Sequence, residues 1–272
     1  MQTFFRIGNI PINLRGQAGC EVVGRPGSGK STLAAFLVLK ATQLGAYPVF
    51  CDTKRSDFFH LGKMLENQDS SNKDAASRVA ATPNQVAGLL RTLVKLMNSR
   101  YEAYNEFGKD WVDFNLRPIV LILDEYSATI SEAETCKSSG KGSVTKEIED
   151  YMKQFVYKSR QMGGIFTVLC SQRLNSNVLD VNVSAEFSTR VAMENLDSIS
   201  LRLAFPQCDA DQIPYIDNVP GHGLIYSDAF TENNPIPFIA PDISQVNVPK
   251  VLSILDKRNK INSFAKEPYW PF

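Results

Sequence analysis

Gly24-Arg25-Pro26-Gly27-Ser28-Gly29-Lys30-Ser31 is the stretch that decides how this chain folds. It matches G-x-x-x-x-G-K-[ST] at every fixed position. It follows the apolar run Glu21-Val22-Val23 and opens into Thr32-Leu33-Ala34-Ala35-Phe36, a helix-forming segment. The order predicts a strand, a tight glycine loop and a helix in immediate succession. In that setting consecutive backbone N–H groups converge on a phosphate, and the helix N-terminus adds the positive end of its dipole. Gly24, Arg25, Pro26, Gly27, Ser28, Gly29, Lys30, Ser31 and Thr32 are therefore expected to cradle ATP. Lys30 would reach the β- and γ-phosphates, and the Ser31 hydroxyl would hold Mg²⁺.

Further along, Ile119-Val120-Leu121-Ile122-Leu123-Asp124-Glu125 reads as a buried strand ending in two acids. Such a strand presents them at the carboxyl edge of a sheet, where open α/β sheets bind ligands. Asp124 is the expected second holder of Mg²⁺, through its water shell. Glu125 is the expected base that orients and deprotonates an attacking water. An isolated Asp-Glu would read as a solvated strand end; the phosphate loop upstream is what makes this pair catalytic. Ile165–Cys170 ends similarly in Ser171-Gln172-Arg173, with Gln172 the candidate to sense the γ-phosphate.

Working outward, short apolar runs alternate with helical patterns. Strands are expected at Cys20–Val23, Tyr47–Cys51, Ile119–Leu123, Ile165–Cys170, Thr189–Met193 and Gly223–Tyr226, and helices at Lys30–Leu44, Asn84–Phe107 and Thr145–Met162. Near-continuous apolar strands imply cover on both faces. The alternation implies an α/β fold with a mainly parallel central sheet flanked by helices. Asn67–Lys73 and Ser131–Ser143 read as loops, and the proline-rich tail from Asn233 as an extended strap. Residues 1–240 are expected to form one core, with 241–272 packed on it.

Composition narrows the function. The 272 residues carry 29 Lys and Arg against 29 Asp and Glu, so no overall basic field exists to draw in a polyanion. Any nucleic-acid contact must come from a local cluster. The five cysteines lack metal-ligand spacing, and Cys20, Cys51 and Cys170 fall within apolar runs, as small core residues of a reducing compartment do. No signal peptide and no apolar run of membrane-spanning length is present, so a cytoplasmic location is expected, with any anchor outside this chain. His60 and His222 have no ligand pattern. The aromatic residues of Tyr101–Trp111 read as helix packing.

Taken in order, the motifs resemble the motor core of the FtsK/SpoIIIE–HerA superfamily of DNA pumps. The phosphate loop carries the likeness first. Phe50-Cys51-Asp52-Thr53-Lys54 is similar to the family's strand ending in Asp-Pro-Lys, and Met97-Asn98-Ser99-Arg100-Tyr101 with Phe107-Gly108 to its Arg-Tyr helix. Leu123-Asp124-Glu125-Tyr126, Cys170-Ser171-Gln172-Arg173 and Phe187-Ser188-Thr189-Arg190-Val191-Ala192, followed by Leu196-Asp197-Ser198, complete the set. The resemblance implies a RecA-like P-loop ATPase of the ASCE type that works as a homo-hexameric ring on DNA. It implies ATP sites completed by a neighbour's arginine, with Arg160 first candidate and Arg190 second. Asp52-Thr53-Lys54 lacks the family's proline, so its turn is expected to differ.

The chain ends without a winged-helix module that reads DNA sequence, which favours a conjugative coupling ATPase working with a relaxase and secretion-channel proteins. The segment Phe4–Gly8 suggests a longer N-terminal region. Lys137, Lys141 and Lys146, with Lys54 and Arg55, are the expected DNA contacts; the same loop carries Glu132 and Glu134 and reads equally as a solvated loop. Two other functions fit the same motifs: a protein-secreting motor and a non-hydrolysing nucleotide-binding scaffold. The intact Lys30, Asp124 and Glu125 argue against the scaffold.

Overall fold

A computed structural model describes residues 2–68, 75–104, 106–136, 143–172, 179–208, 210–230 and 234–272. The chain opens with a hairpin of β1 (Phe4–Ile7) and β2 (Ile10–Asn13), then runs through β3 (Gly19–Gly24), α1 (Lys30–Gln43), β4 (Tyr47–Asp52), α2 (Asp57–Gln68) and β5 (Val79–Ala80). There follow α3 (Pro83–Ala103), β6 (Ile119–Asp124), α4 (Tyr126–Thr135), α5 (Val144–Lys158), a π-helical turn at Ser159–Gly163, and β7 (Ile165–Ser171). The last third holds α6 (Val181–Ala185), β8 (Thr189–Met193), α7 (Ser198–Ala204), β9 (His222–Ser227), β10 (Ile236–Ile239) and α8 (Val248–Ile261).

The central sheet has eight strands in the order β10-β9-β8-β3-β7-β6-β4-β5. From β8 to β5 every neighbour pair is parallel, while β9 and β10 are antiparallel additions at one side. The apolar runs have a simple cause. Val120 and Ile122 of β6 pack into the layer formed with α1, α2 and the β1–β2 hairpin, whereas Ile119, Leu121 and Leu123 pack into the layer formed with α3, α4 and α5. A strand with a core on each face needs an apolar side chain at every position.

Three expectations change. Residues assigned to the Ser131–Ser143 loop lie partly in α4, because Tyr126, Ile130 and Ala133 recur at helical spacing and are buried. Lys146 sits exposed on the first turn of α5, and Lys137, Lys141 and Arg173 lie outside the described residues. The helix begun at Asn84 ends at Ala103, short of Phe107. The tail from Asn233 is not simply extended: it holds the 14-residue α8, whose Asn247 side chain caps the Lys250 N–H and whose proline sits in the first turn, where its missing N–H costs nothing. The Tyr101–Trp111 aromatics do pack: Trp111 is buried, and Tyr101 donates to the Lys158 carbonyl at 2.7 Å, although Phe107 is exposed.

After α8, residues 262–272 cross the sheet's amino-terminal edge from one helical layer to the other. Ala265 N–H donates to Asn115 O, and the Ala76 N–H to Pro271 O. Trp270 and Phe272 pack on Tyr47 at the start of β4. Arg100 of α3, fully buried, grips Glu267 with both ends of its guanidinium at 2.7 and 2.8 Å, and donates to the carbonyls of Arg117 and Gly163. A residue quoted above for family likeness thus has a structural occupation: it fastens the C-terminal segment. Glu267→Ala leaves a buried guanidinium without its counter-charge, and we expect a loss of about 3 kcal/mol in urea denaturation. Glu267→Gln, which keeps the hydrogen-bonding shape, should lose less.

Candidate active site

The parallel strands bring their carboxyl ends to one edge. β3 ends at Gly24, β6 at Asp124, β4 at Asp52 and β7 at Ser171, with Gln172 next along the chain. β7 lies between β3 and β6, so the glycine loop and the acidic pair flank a single strand.

The loop is held as a backbone cup. Gly29, the residue before α1, has φ 103°, a left-handed conformation that suits glycine and turns the following N–H groups into the loop. A Cβ on Gly24 would come within 2.7 Å of Ser28 Oγ and 2.8 Å of the Met193 Cβ, so the strand end must be bare. From outside, the Gly221 N–H donates to the Ser28 carbonyl at 2.9 Å, which ties the loop to the segment entering β9. Lys30 donates to the carbonyls of Gly24 and Arg25 at 2.7 and 2.9 Å. Burial draws its pKa below the ordinary lysine value, while Glu125, Cys170 and Asp124 pull it back. The ammonium and both acids therefore share one electrostatic neighbourhood. Ser31 and Thr32 are exposed on the first turn of α1.

Across β7 the carboxylates crowd together. Asp52 and Asp124 are register partners on β4 and β6. Asp52 Oδ2 accepts from Ser56 N, Ser56 Oγ and Phe59 N at 2.8, 2.8 and 3.1 Å, closing the turn into α2 without the family's proline. Burial pushes the Asp124 carboxyl up to about 6, and Asp52 and Glu125 add to the rise against Lys54 and Lys30. Glu125 is left-handed (φ 50°, ψ 53°) and ion-paired to Lys54, its Oε2 2.9 Å from Nζ.

Mg²⁺ fits this edge. Burial, Asp52 and Glu125 disfavour charge on Asp124, a cost that a divalent cation relieves, and Ser31 offers an exposed hydroxyl across from it. Mg²⁺ keeps several waters and takes phosphate oxygens, so it asks for few protein ligands. Among the described residues no group of three or more His, Cys, Asp or Glu forms a metal cage.

Arg160 is not brought to this edge. It lies in the turn before β7, with β7 between it and Gln172, about 20 Å of extended chain. Its guanidinium pairs with Glu186 at 2.6 Å. Arg190, the second finger candidate, is corrected: it is buried between β3 and β9 as register partner of Glu21 and Tyr226, with its guanidinium 4.7 Å above the Tyr226 ring. A residue so enclosed cannot reach a neighbouring chain.

The sequence reading missed two features. Lys54, expected above as a DNA contact, is the partner of Glu125, and no local spacing could reveal a pair 71 residues apart. A cavity of about 750 Å³ also adjoins Ser31 and Thr32, walled by Phe58, Leu61 and Met64 of α2 and by Ile243 and Val248, with Asp57, His60 and Asp242 at its polar edges.

A pH dependence follows from Asp124. Its pKa is about 6 in the fold against an ordinary 3.8, so the fold holds this proton more tightly than the unfolded chain. The stability so gained is complete below the unfolded value and lost as pH rises through the folded one. In the absence of nucleotide, Asp124→Asn should therefore be more stable than wild type at neutral pH, by about 1–2 kcal/mol in urea denaturation. The gap should close on acidification, and the same variant should bind Mg²⁺–ATP more weakly.

No protein-family model matches the chain, and no curated protein does. Among solved structures it is similar to the pCW3 conjugation coupling protein TcpA, monomer form with ATPγS, at 21% identity and TM-score 0.74 over 93% of this chain and 71% of that one. It is similar also to the cytoplasmic domain of the Thermomonospora curvata type VII secretion ATPase EccC, at 17% identity and TM-score 0.62 over 99% of this chain and 32% of that one. EccC ATPases 2 and 3 with a signal sequence peptide match at 16% identity and TM-score 0.58, over 97% of this chain and 48% of theirs. The chain thus spans about a third to a half of these EccC structures. At such identities the likeness establishes architecture: the chain has the RecA-like α/β fold, with a mostly parallel sheet between helical layers, that a conjugation coupling protein and a secretion ATPase share.

Proposed function

We propose that this chain is the ATP-hydrolysing motor core of a DNA translocase that works as a homo-oligomeric ring, of the type that couples DNA to a conjugation channel. One observation carries the catalytic part: Lys30 and the Asp124–Glu125 pair meet at one sheet edge, within electrostatic reach of each other. The triphosphate lies in the Gly24–Thr32 loop, and Lys30 exchanges its carbonyl partners for β- and γ-phosphate oxygens. Ser31 and, through its water shell, Asp124 would hold Mg²⁺, which would offset phosphate charge. Glu125 takes a proton from water as the water oxygen bonds to the γ-phosphorus. The bond from that phosphorus to the β–γ bridging oxygen breaks, and its electrons leave with ADP. Gln172, at the end of the strand between loop and acids, contacts the γ-phosphate. Base and ribose enter the cavity beside Thr32, whose apolar walls suit a planar ring.

Ring action is supported by the ordered motif set and by the position of Arg160. Arg160, half-exposed and paired with Glu186 at the far edge of the sheet from its own loop, would complete a neighbour's site. DNA as cargo is supported by the ordered motif set and by fold likeness to a conjugation coupling protein. Lys146 is an exposed cation on the α4–α5 side. Residues 1–240 serve as the motor and 241–272 as its clasp, in a cytoplasmic location with relaxase and channel proteins as partners. No described helix is long and apolar enough to cross a membrane. The fold likeness to EccC bound to a signal peptide favours a second reading, in which the cargo is protein.

Steady-state ATP turnover separates these readings. Lys30→Ala should abolish nucleotide binding, and Glu125→Gln should cut turnover about a hundredfold or more while binding persists. DNA at low salt should raise the wild-type rate, and more than linearly with protein concentration. Stimulation by a secretion-signal peptide but not by DNA would make protein the cargo. An absence of phosphate release under every condition would leave only a nucleotide-binding scaffold.

A further inference from the structure

The Lys54–Glu125 pair is unequal in a telling way. The lysine side chain is 45% exposed and the glutamate 11%. The ammonium is within reach of solvent, whereas the carboxylate it holds faces the nucleotide edge. The backbone bearing Lys54 is fixed at both ends. Asp52 gathers Ser56 and the Phe59 N–H to close the turn, and the Thr53 hydroxyl meets the Thr129 hydroxyl at 3.1 Å, joining the turn to the helix that Glu125 begins. The freedom that remains belongs to the lysine side chain. Exposed Arg55 follows on the same turn and, with Lys63 of α2, lines an adjoining recess of about 570 Å³.

We propose that Lys54 is a positioning residue that holds Glu125 away from the attacking water until a nucleic-acid phosphate draws its ammonium off. This rests on the reading of Glu125 as the base. A carboxylate whose oxygen accepts from an ammonium at 2.9 Å is turned toward that partner and away from a water it would otherwise orient. An ion pair with one solvent-exposed member is weak and exchangeable, so a phosphate backbone lying along Lys54 and Arg55 can take its place at little cost. Hydrolysis without cargo is then slow because the base is engaged, and cargo releases it with no movement of the strands.

The test is ATP turnover by the assembled protein with and without a DNA oligonucleotide, for wild type, Lys54→Met and Lys54→Arg. Lys54→Met should raise the DNA-free kcat about fivefold at unchanged KM, the size expected from losing a half-exposed ion pair, and DNA should add nothing further. Without DNA, the wild-type rate should climb with NaCl while the Lys54→Met rate stays flat. Lys54→Arg, which keeps the charge, should rescue the response to DNA. A Lys54→Met rate at or below wild type, or one still raised by DNA, overturns the proposal while Glu125→Gln remains inactive. If Glu125→Gln itself hydrolyses ATP normally, the assignment of the base fails and this proposal falls with it. Stimulation of wild type by an acidic peptide but not by DNA would also overturn it.

Discussion

Parallel alignment of β3, β7, β6 and β4 is the constraint on which the rest depends. Side by side with their carboxyl ends together, they put a cup of backbone N–H groups on one side of β7 and a cluster of carboxylates on the other. Neither half is comfortable alone. Lys30 is buried against its own preference for charge, and Asp124 is pushed up to about 6 by burial and its acidic neighbours. Each half carries the charge the other lacks, and a magnesium-bound triphosphate complements both. The strain of the arrangement is therefore local to the edge where chemistry is proposed.

The opposite edge answers a mechanical need. There the C-terminal segment passes from the α1 side to the α3 side, held by the buried Arg100–Glu267 pair and by Trp270 and Phe272 on Tyr47. Arg78 and Asp256, each 1% exposed and 3.3 Å apart, add a second buried pair beside it. Buried pairs of this kind do little for net stability against apolar substitutes, but are costly to break singly. Arg160 belongs to this amino-terminal edge too, paired with Glu186 and apart from the residues gathered at the carboxyl edge.

Much of this was legible because two local rules dominated. The glycine loop needs only its spacing and its flanks, and β6 declares itself because alternate residues enter different cores. The hairpin Ile7-Gly8-Asn9-Ile10 carries Gly-Asn between alternating apolar residues, a turn signal too short to stand out beside the longer apolar runs. Helix α8 was hidden by surrounding prolines, although the proline at its start is where a helix tolerates one. Helix α4 was masked by its Ser, Thr and Glu content, despite Tyr126, Ile130 and Ala133 at helical spacing. Arg190 looked available because a lone arginine in a motif gives no hint of Glu21 and Tyr226 on the adjacent strands. The Lys54–Glu125 contact and the cavity beside Thr32 are products of tertiary packing, with no period or spacing to announce them.

The central claim is that the loop and the acidic pair bind one metal–nucleotide complex. Anomalous diffraction from a crystal grown with Mn²⁺ and a non-hydrolysable ATP analogue tests it most directly. The account predicts a single manganese peak between the Ser31 hydroxyl and the Asp124 carboxylate, with the terminal phosphate against Lys30 and facing Glu125. A nucleotide bound elsewhere, or seated in the loop with its metal remote from Asp124, would contradict it.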